Sequence, residues 1–234
     1  LNNQGVNRIS NRIKYSKLLN PKGIISVNLA KNNDSMDANE DYVTLVRGLG
    51  EHVDMLVINL SCPNVGNESD ILKTIEPMMT IVKAEIGKLS HQPPVLIKIS
   101  PDLDKDTLTQ LSLLALKTKV DGLVISNTTT KRTFPPLVHE GTHREEARVV
   151  DVKKKEEASG GSSASGGEKK DQECVLKSEF RTESGGLSGE PLKSSALSTL
   201  KHVYQVTEGK IPLIGVGGIS TGSDAYERIK AGAS

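Results

Sequence analysis

Asn59-Leu60-Ser61-Cys62-Pro63-Asn64 is the segment of this chain richest in chemistry. A thiol stands between two carboxamides, just past an apolar run and next to a stiffening proline. A thiolate there can act as a base or as a nucleophile. Acyl transfer would need an activating histidine, and none is well placed. His52 falls in a helix–strand turn, and His91, His139, His143 and His202 fall in loops or helices. Proton abstraction is the better role for Cys62.

Other polar residues recur at matching places. Asn28, Asn59, Lys98, Asn127 and the pair Gly217-Gly218 each close a short apolar run. An asparagine offers one acceptor and two donors without charge. A set of them suits a planar ligand with alternating carbonyl and N–H groups, such as a pyrimidine or a flavin ring. Lys98 at a strand end would be costly to bury without a partner. A ligand anion, or a ring that gains charge on reduction, would satisfy it.

Two small-residue loops each precede a helical pattern: Gly185-Gly186-Leu187-Ser188-Gly189 and Gly217-Gly218-Ile219-Ser220-Thr221-Gly222. Glycines let a phosphate approach the backbone, and a helix N-terminus attracts an anion. Neither loop has the dinucleotide-fold or P-loop spacing. Together they suit the phosphate of a mononucleotide.

The elements that position these groups are legible as a rhythm. Apolar runs at Ile24–Asn28, Met55–Asn59, Val95–Lys98, Leu123–Asn127 and Pro212–Gly218 predict strands buried on both faces. Between them, 41–49, 70–89, a segment capped by Asp104, one opened by Pro191, and 224–230 predict helices. Strand–helix alternation with short loops predicts a parallel α/β sheet, either a (β/α)8 barrel or a doubly wound sheet. In a barrel the strand ends converge on one mouth, where a site is built.

The 234 residues fit one domain, or two small ones at most. With 30 Lys+Arg against 29 Asp+Glu, the net charge of +1 gives no footprint for nucleic acid. Two cysteines make neither a disulfide framework nor a metal site. No apolar run reaches the ~18 residues of a membrane span. From 139 to 184 the composition collapses into charge runs and Gly/Ser repeats, which cannot offset their ordering entropy. This stretch is expected to be a disordered insertion, with Cys174 an incidental exposed thiol.

At this point the residues resemble a known family, the dihydroorotate dehydrogenases. The resemblance is carried by 26–29, 57–64, 97–103, 121–129, 185–192 and 211–234. It implies a TIM barrel that binds FMN and oxidises dihydroorotate to orotate in pyrimidine (UMP) synthesis. It implies that Cys62 removes the C5 proton and that Asn59, Asn64, Asn127 and Thr128 hold the substrate. Asn28, Asn59, Lys98, Ser126, Ser188, Gly189, Gly217 and Gly218 would hold FMN, with no metal.

Pro101-Asp102-Leu103, Asn127-Thr128-Thr129 and Gly186-Leu187-Ser188-Gly189 look like class 2, the quinone-linked and membrane-associated branch. Cys62 departs from it, because class 2 carries serine there. Cysteine is the choice of class 1, whose soluble members use fumarate or NAD. The many motifs outweigh the one residue, so quinone is the expected acceptor. The resemblance further implies a monomer at the mitochondrial inner membrane, held there by a segment absent from this chain; the class 1 alternative is cytoplasmic. A non-catalytic homologue is the remaining alternative, and the intact Asn59, Cys62, Asn64, Lys98 and Asn127 oppose it.

The resemblance places the five strands as the third to seventh of eight, so the chain is expected to be a partial barrel lacking both ends. Two open edges and an uncovered interior predict that the isolated residues are poorly stable and do not retain FMN.

Overall fold

The computed structural model describes residues 4–32, 35, 37–60, 68–134, 150–152, 174–176 and 185–234. In chain order the elements are α1 (Val6–Leu19), β1 (Ser26–Leu29), α2 (Ala38–Leu49), β2 (Met55–Asn59), α3 (Glu68–Ile86), β3 (Val95–Ile99), α4 (Lys105–Lys117), β4 (Gly122–Ile125), β5 (Thr133–Phe134), β6 (Val150–Val152), β7 (Cys174–Leu176), α5 (Lys193–Thr207), β8 (Leu213–Gly215) and α6 (Gly222–Lys230). Strands β1, β2, β3, β4 and β8 form one parallel sheet in that order. Each successive pair of strands is joined through at least one helix, as parallel pairing demands.

The helix starts follow from local chemistry. Asp104 caps α4, and its carboxylate accepts from the N–H groups of Asp106 (2.8 Å) and Thr107 (2.9 Å). Asp37 caps α2, so the helix begins at Ala38, three residues before the apolar pattern predicts. Pro191 lies in a 3-10 turn, Glu190–Leu192, that leads into α5. Helix α6 opens at Gly222, because Thr221 and Asp224 form a reciprocal capping box around its first turn. Helix α1 carries no counterpart in the sequence expectation; Val6, Ile9 and Ile13 form its packed stripe.

The sheet's two faces differ. One packs under the helices: Leu29, Leu56, Ile58, Ile97, Ile99, Leu123, Ile125 and Leu213 join Val46, Ile75, Leu111 and Leu200 in a single cluster. Burying each such side chain is worth roughly 1.5–3 kcal/mol. The other face holds a small cluster of strand residues alone, Val57, Leu96 and Val124, flanked by Met55 and Ile214.

Strands β5, β7 and β6 make a separate three-stranded antiparallel sheet. Two of its strands fall within 139–184, and the rest of that interval lies outside the described residues.

Candidate functional site

Side chains alternate along a strand, so the residues of the second face can be read in register. Met55 and Val57 put Asn59 on it, and Leu96 puts Lys98 on it. Asn59 and Lys98 are direct partners across the β2–β3 ladder. On β1 the neighbours Val27 and Leu29 pack under the helices, which leaves Asn28 on the second face. Asn59 and Lys98 thus stand side by side at the C-terminal ends of their strands, and Asn28, opposite Val57, sits two residues back on the same face of the adjacent strand. Ser126 follows β4 directly and is buried. Its N–H donates to the Val216 carbonyl at 3.0 Å, and its hydroxyl to the Asn127 carbonyl at 3.1 Å.

Asn127 and Thr128 stand on the loop after β4. The Asn127 N–H donates to the Ile99 carbonyl at 2.8 Å, which ties the loop to β3. Thr129 and Leu187 exchange two backbone hydrogen bonds, at 3.0 and 2.8 Å, which join it to the loop at 185–189. Asp102 completes the arrangement. Its carboxylate accepts from the Thr129 hydroxyl at 2.5 Å, from the Thr130 N–H at 2.8 Å and from the Thr130 hydroxyl at 3.1 Å. Arg132 reaches the Gly185 carbonyl at 2.8 Å. Gly186 packs against Thr128 so closely that a methyl group there would come within 1.8 Å of Oγ1.

The loop after β8 is equally constrained. Gly217 and Gly218 have φ of 104° and 66°. A methyl at Gly218 would lie 2.5 Å from the Lys193 Cα and 2.6 Å from its N, so this backbone rests on the first residue of α5. Asp224 gathers the loop's N–H groups, from Ser220 at 3.0 Å and Thr221 at 2.9 Å, and receives the Lys193 ammonium at 2.5 Å. The Lys193 hydrogen bond, helped by the Ser220 N–H, holds the Asp224 carboxyl well below the usual carboxylate range. Arg228, buried, donates from Nη2 to the carbonyls of Gly217 (2.6 Å) and Lys193 (3.0 Å).

Of the residues singled out from sequence, the structure puts Asn28, Asn59, Lys98, Ser126, Asn127 and Thr128 at one end of the sheet. Gly217 and Gly218 are there as well, and the turn from Gly189 brings Lys193 against Gly218. Ser188 is exposed on the 185–189 loop. Cys62 and Asn64 lie outside the described residues. Sequence reasoning gave no task to Asp102, Arg132, Asp224 or Arg228. The capping pattern Thr221–Asp224 was the one readable signal among them.

A basin of about 610 Å³ opens at the opposite end of the sheet, lined by Lys14, Lys17, His52, Asp54 and His91 among others. Internal pairs occupy much of its polar lining. Lys17 binds Asp54 at 2.5 Å, and His91 Nε2 sits 2.9 Å from the Val53 carbonyl. It therefore reads as a packing seam. Among the described residues no cluster could hold a metal ion, and no helix is long and apolar enough to cross a membrane.

The donor set fits a flavin mononucleotide. The set of amides and one ammonium matches a ring edge of alternating carbonyl and N–H groups. The glycine backbone seated at a helix start matches a phosphate.

A family model described as dihydroorotate dehydrogenase matches residues 1–163 and 146–234. An Arabidopsis thaliana protein named dihydroorotate dehydrogenase (quinone), mitochondrial, is 35% identical over 218 residues, covering 91% of this chain and 39% of that protein. The mouse protein of the same name is 32% identical over 242 residues, covering all of this chain and 51% of its own length. The crystal structure of a ligand-free enzyme of this type from Eimeria tenella superposes with a TM-score of 0.74 at 28% identity, covering all of this chain and 60% of that one. The chain spans about half the length of the curated relatives it matches. The five-stranded unit is thus part of a TIM-barrel architecture.

Proposed function

The chain belongs to the dihydroorotate dehydrogenase family, and from that premise we propose that the whole protein oxidises dihydroorotate to orotate in pyrimidine biosynthesis and passes the electrons to a quinone. The observation that carries this reading is the set Asn28, Asn59 and Lys98 on the second face of the sheet, at the same end as the Gly217–Gly218 loop. FMN, when bound, supplies the acceptor for the hydride that leaves C6 of dihydroorotate.

The chain's own residues do the rest. Asn28, Asn59, Lys98 and Ser126 line the ring, and Ser188, Gly189, Gly217 and Gly218 surround the phosphate. Asn59, Asn64, Asn127 and Thr128 orient the substrate amides, with Asn127 and Thr128 fixed by the Asp102 and Leu187 contacts. Cys62 takes the C5 proton. A thiol, with an ordinary pKa near ~8.5, is partly ionised near neutrality and is an easier base than a hydroxyl. Residues 1–234 form part of one FMN-binding TIM-barrel domain, into which 139–184 is inserted.

A quinone acceptor and a mitochondrial location follow the names of the eukaryotic relatives; the inner membrane and a monomeric state rest on the family resemblance alone. Cys62 favours a second reading, a soluble enzyme that uses fumarate or NAD. The test adds dihydroorotate anaerobically to the whole protein and follows the oxidised-flavin absorbance. Rapid bleaching, slowed at least about 100-fold in Cys62→Ala, is expected for a lost general base. Bound flavin that does not bleach overturns the substrate assignment. Reoxidation by a quinone analogue, against fumarate or NAD, separates the two acceptors.

A further inference from the structure

Arg228 is 3% exposed, yet its guanidinium meets only backbone carbonyls in its hydrogen bonds among the described residues. Its stem runs along Gly215, where a methyl group would press within 3.4–3.5 Å of Cβ, Cγ and Cδ. Its Nη2 ends on Gly217 and Lys193, the two residues that frame the glycine turn. Its Nη1 is buried with no hydrogen-bond partner among the described residues. The nearby Asp224 carboxylate is bonded to Lys193 and to the loop's own N–H groups. One carboxylate against two cations leaves the cluster with an excess positive charge.

We propose that Arg228 is a positioning residue that turns the Gly217–Gly218 backbone toward a phosphate monoester and supplies the buried charge that favours its dianion. This rests on the FMN reading above. The geometric step comes from the peptide plane. In a trans peptide the C=O and the following N–H point in opposite directions. Arg228 holds the Gly217 carbonyl inward, so the Gly218 N–H faces away from the guanidinium and toward the loop's outer side. The same guanidinium ties that loop to the start of α5, a helix end that favours an anion. A buried charge is screened by salt much less than an exposed one. A hydrogen bond to a charged group is worth about 1.5–3 kcal/mol, or roughly 10- to 100-fold in affinity.

The test measures flavin binding to the apo form of the whole protein by fluorescence quenching, with FMN and with riboflavin, which lacks the phosphate. Three variants are compared: Arg228→Met, Arg228→Gln and Arg228→Lys. Gln can still donate to the carbonyls but carries no charge, so it reports even if Met disturbs folding. The expected result is a loss of about 10- to 100-fold in FMN affinity for Met and Gln, with riboflavin changed less than about twofold and Lys recovering most of the preference. Equal weakening of FMN and riboflavin, or an unchanged FMN preference in Arg228→Gln, overturns the proposal. A wild-type protein that binds riboflavin as tightly as FMN overturns the underlying phosphate site as well, so the two failures are distinguishable.

Discussion

The Asp102 carboxylate, on the loop after β3, accepts a 2.5 Å hydrogen bond from the Thr129 hydroxyl, on the loop after β4. Two more bonds from Thr130 make Asp102 the joint between these loops. Asn127 and Thr128 hang from that joint. Asp102→Ala strips the buried Thr129 hydroxyl of its acceptor, at about 1–3 kcal/mol, while the exposed Thr130 N–H and hydroxyl turn to water. In the whole protein, KM for dihydroorotate is expected to rise while the flavin content stays at the wild-type level. An unchanged KM would show that the loop keeps its shape without the carboxylate.

Gly218 is the tightest point of the other loop. Gly218→Ala forces a methyl against the Lys193 backbone at a φ of 66°. Strain of this kind costs about 1–3 kcal/mol where the surroundings cannot move. The variant is expected to lose bound flavin and to melt several degrees lower. The ratio of flavin to protein absorbance and a thermal scan check both.

Gly186→Ala tests the contact with Thr128. The added methyl cannot coexist with Oγ1 at 1.8 Å, so either Thr128 or the 185–189 loop must move. The expected outcome is a raised KM with flavin retained, and loss of hydrogen-exchange protection at the amides of Thr129 and Leu187.

Glu85 gives a pH prediction away from the site. Arg47 hydrogen-bonds its carboxylate through Nε at 2.8 Å and Nη2 at 3.3 Å, and Lys88 adds a further ion pair. The Arg47 bonds, then Lys88, hold Glu85 down from the ordinary 4.5 to about 2. A depressed folded value means that the contribution is complete above about pH 4.5 and is lost as the pH falls toward about 2. Glu85→Gln is therefore expected to be less stable than wild type near neutrality, with the difference shrinking below about pH 4. Melting temperatures across that range check it. A gap that stays constant with pH would rule the ion pair out as its source.

The sequence showed the parts whose signal is local. Met55–Ile58 and Val95–Ile97 are continuous apolar runs, and both lie within strands. Asp104 reads as a cap and is one. The polar residues that close those runs do gather at one end. Boundaries were less legible, because partners set them. Ile24 is apolar but 82% exposed, and β1 starts only at Ser26, where pairing with β2 begins. Strand β8 stops at Gly215, and the apolar run past it bends away through the positive φ of Gly217. Helix α1 was missed because its stripe of Val6, Ile9 and Ile13 is narrow and Leu18 and Leu19 are exposed. Asp102 and Arg228 were opaque for a different reason. Their partners lie far along the chain or in backbone carbonyls, which a residue string does not display.

The two faces of the sheet divide its residues into those that hold the fold and those largely free of that task. The large cluster sits under the helices, and the second face has only Val57, Leu96 and Val124 at the heart of its cluster. An exchange at the rim of that second face disturbs few packed neighbours. Selection can therefore change residues of that face while the scaffold keeps its stability.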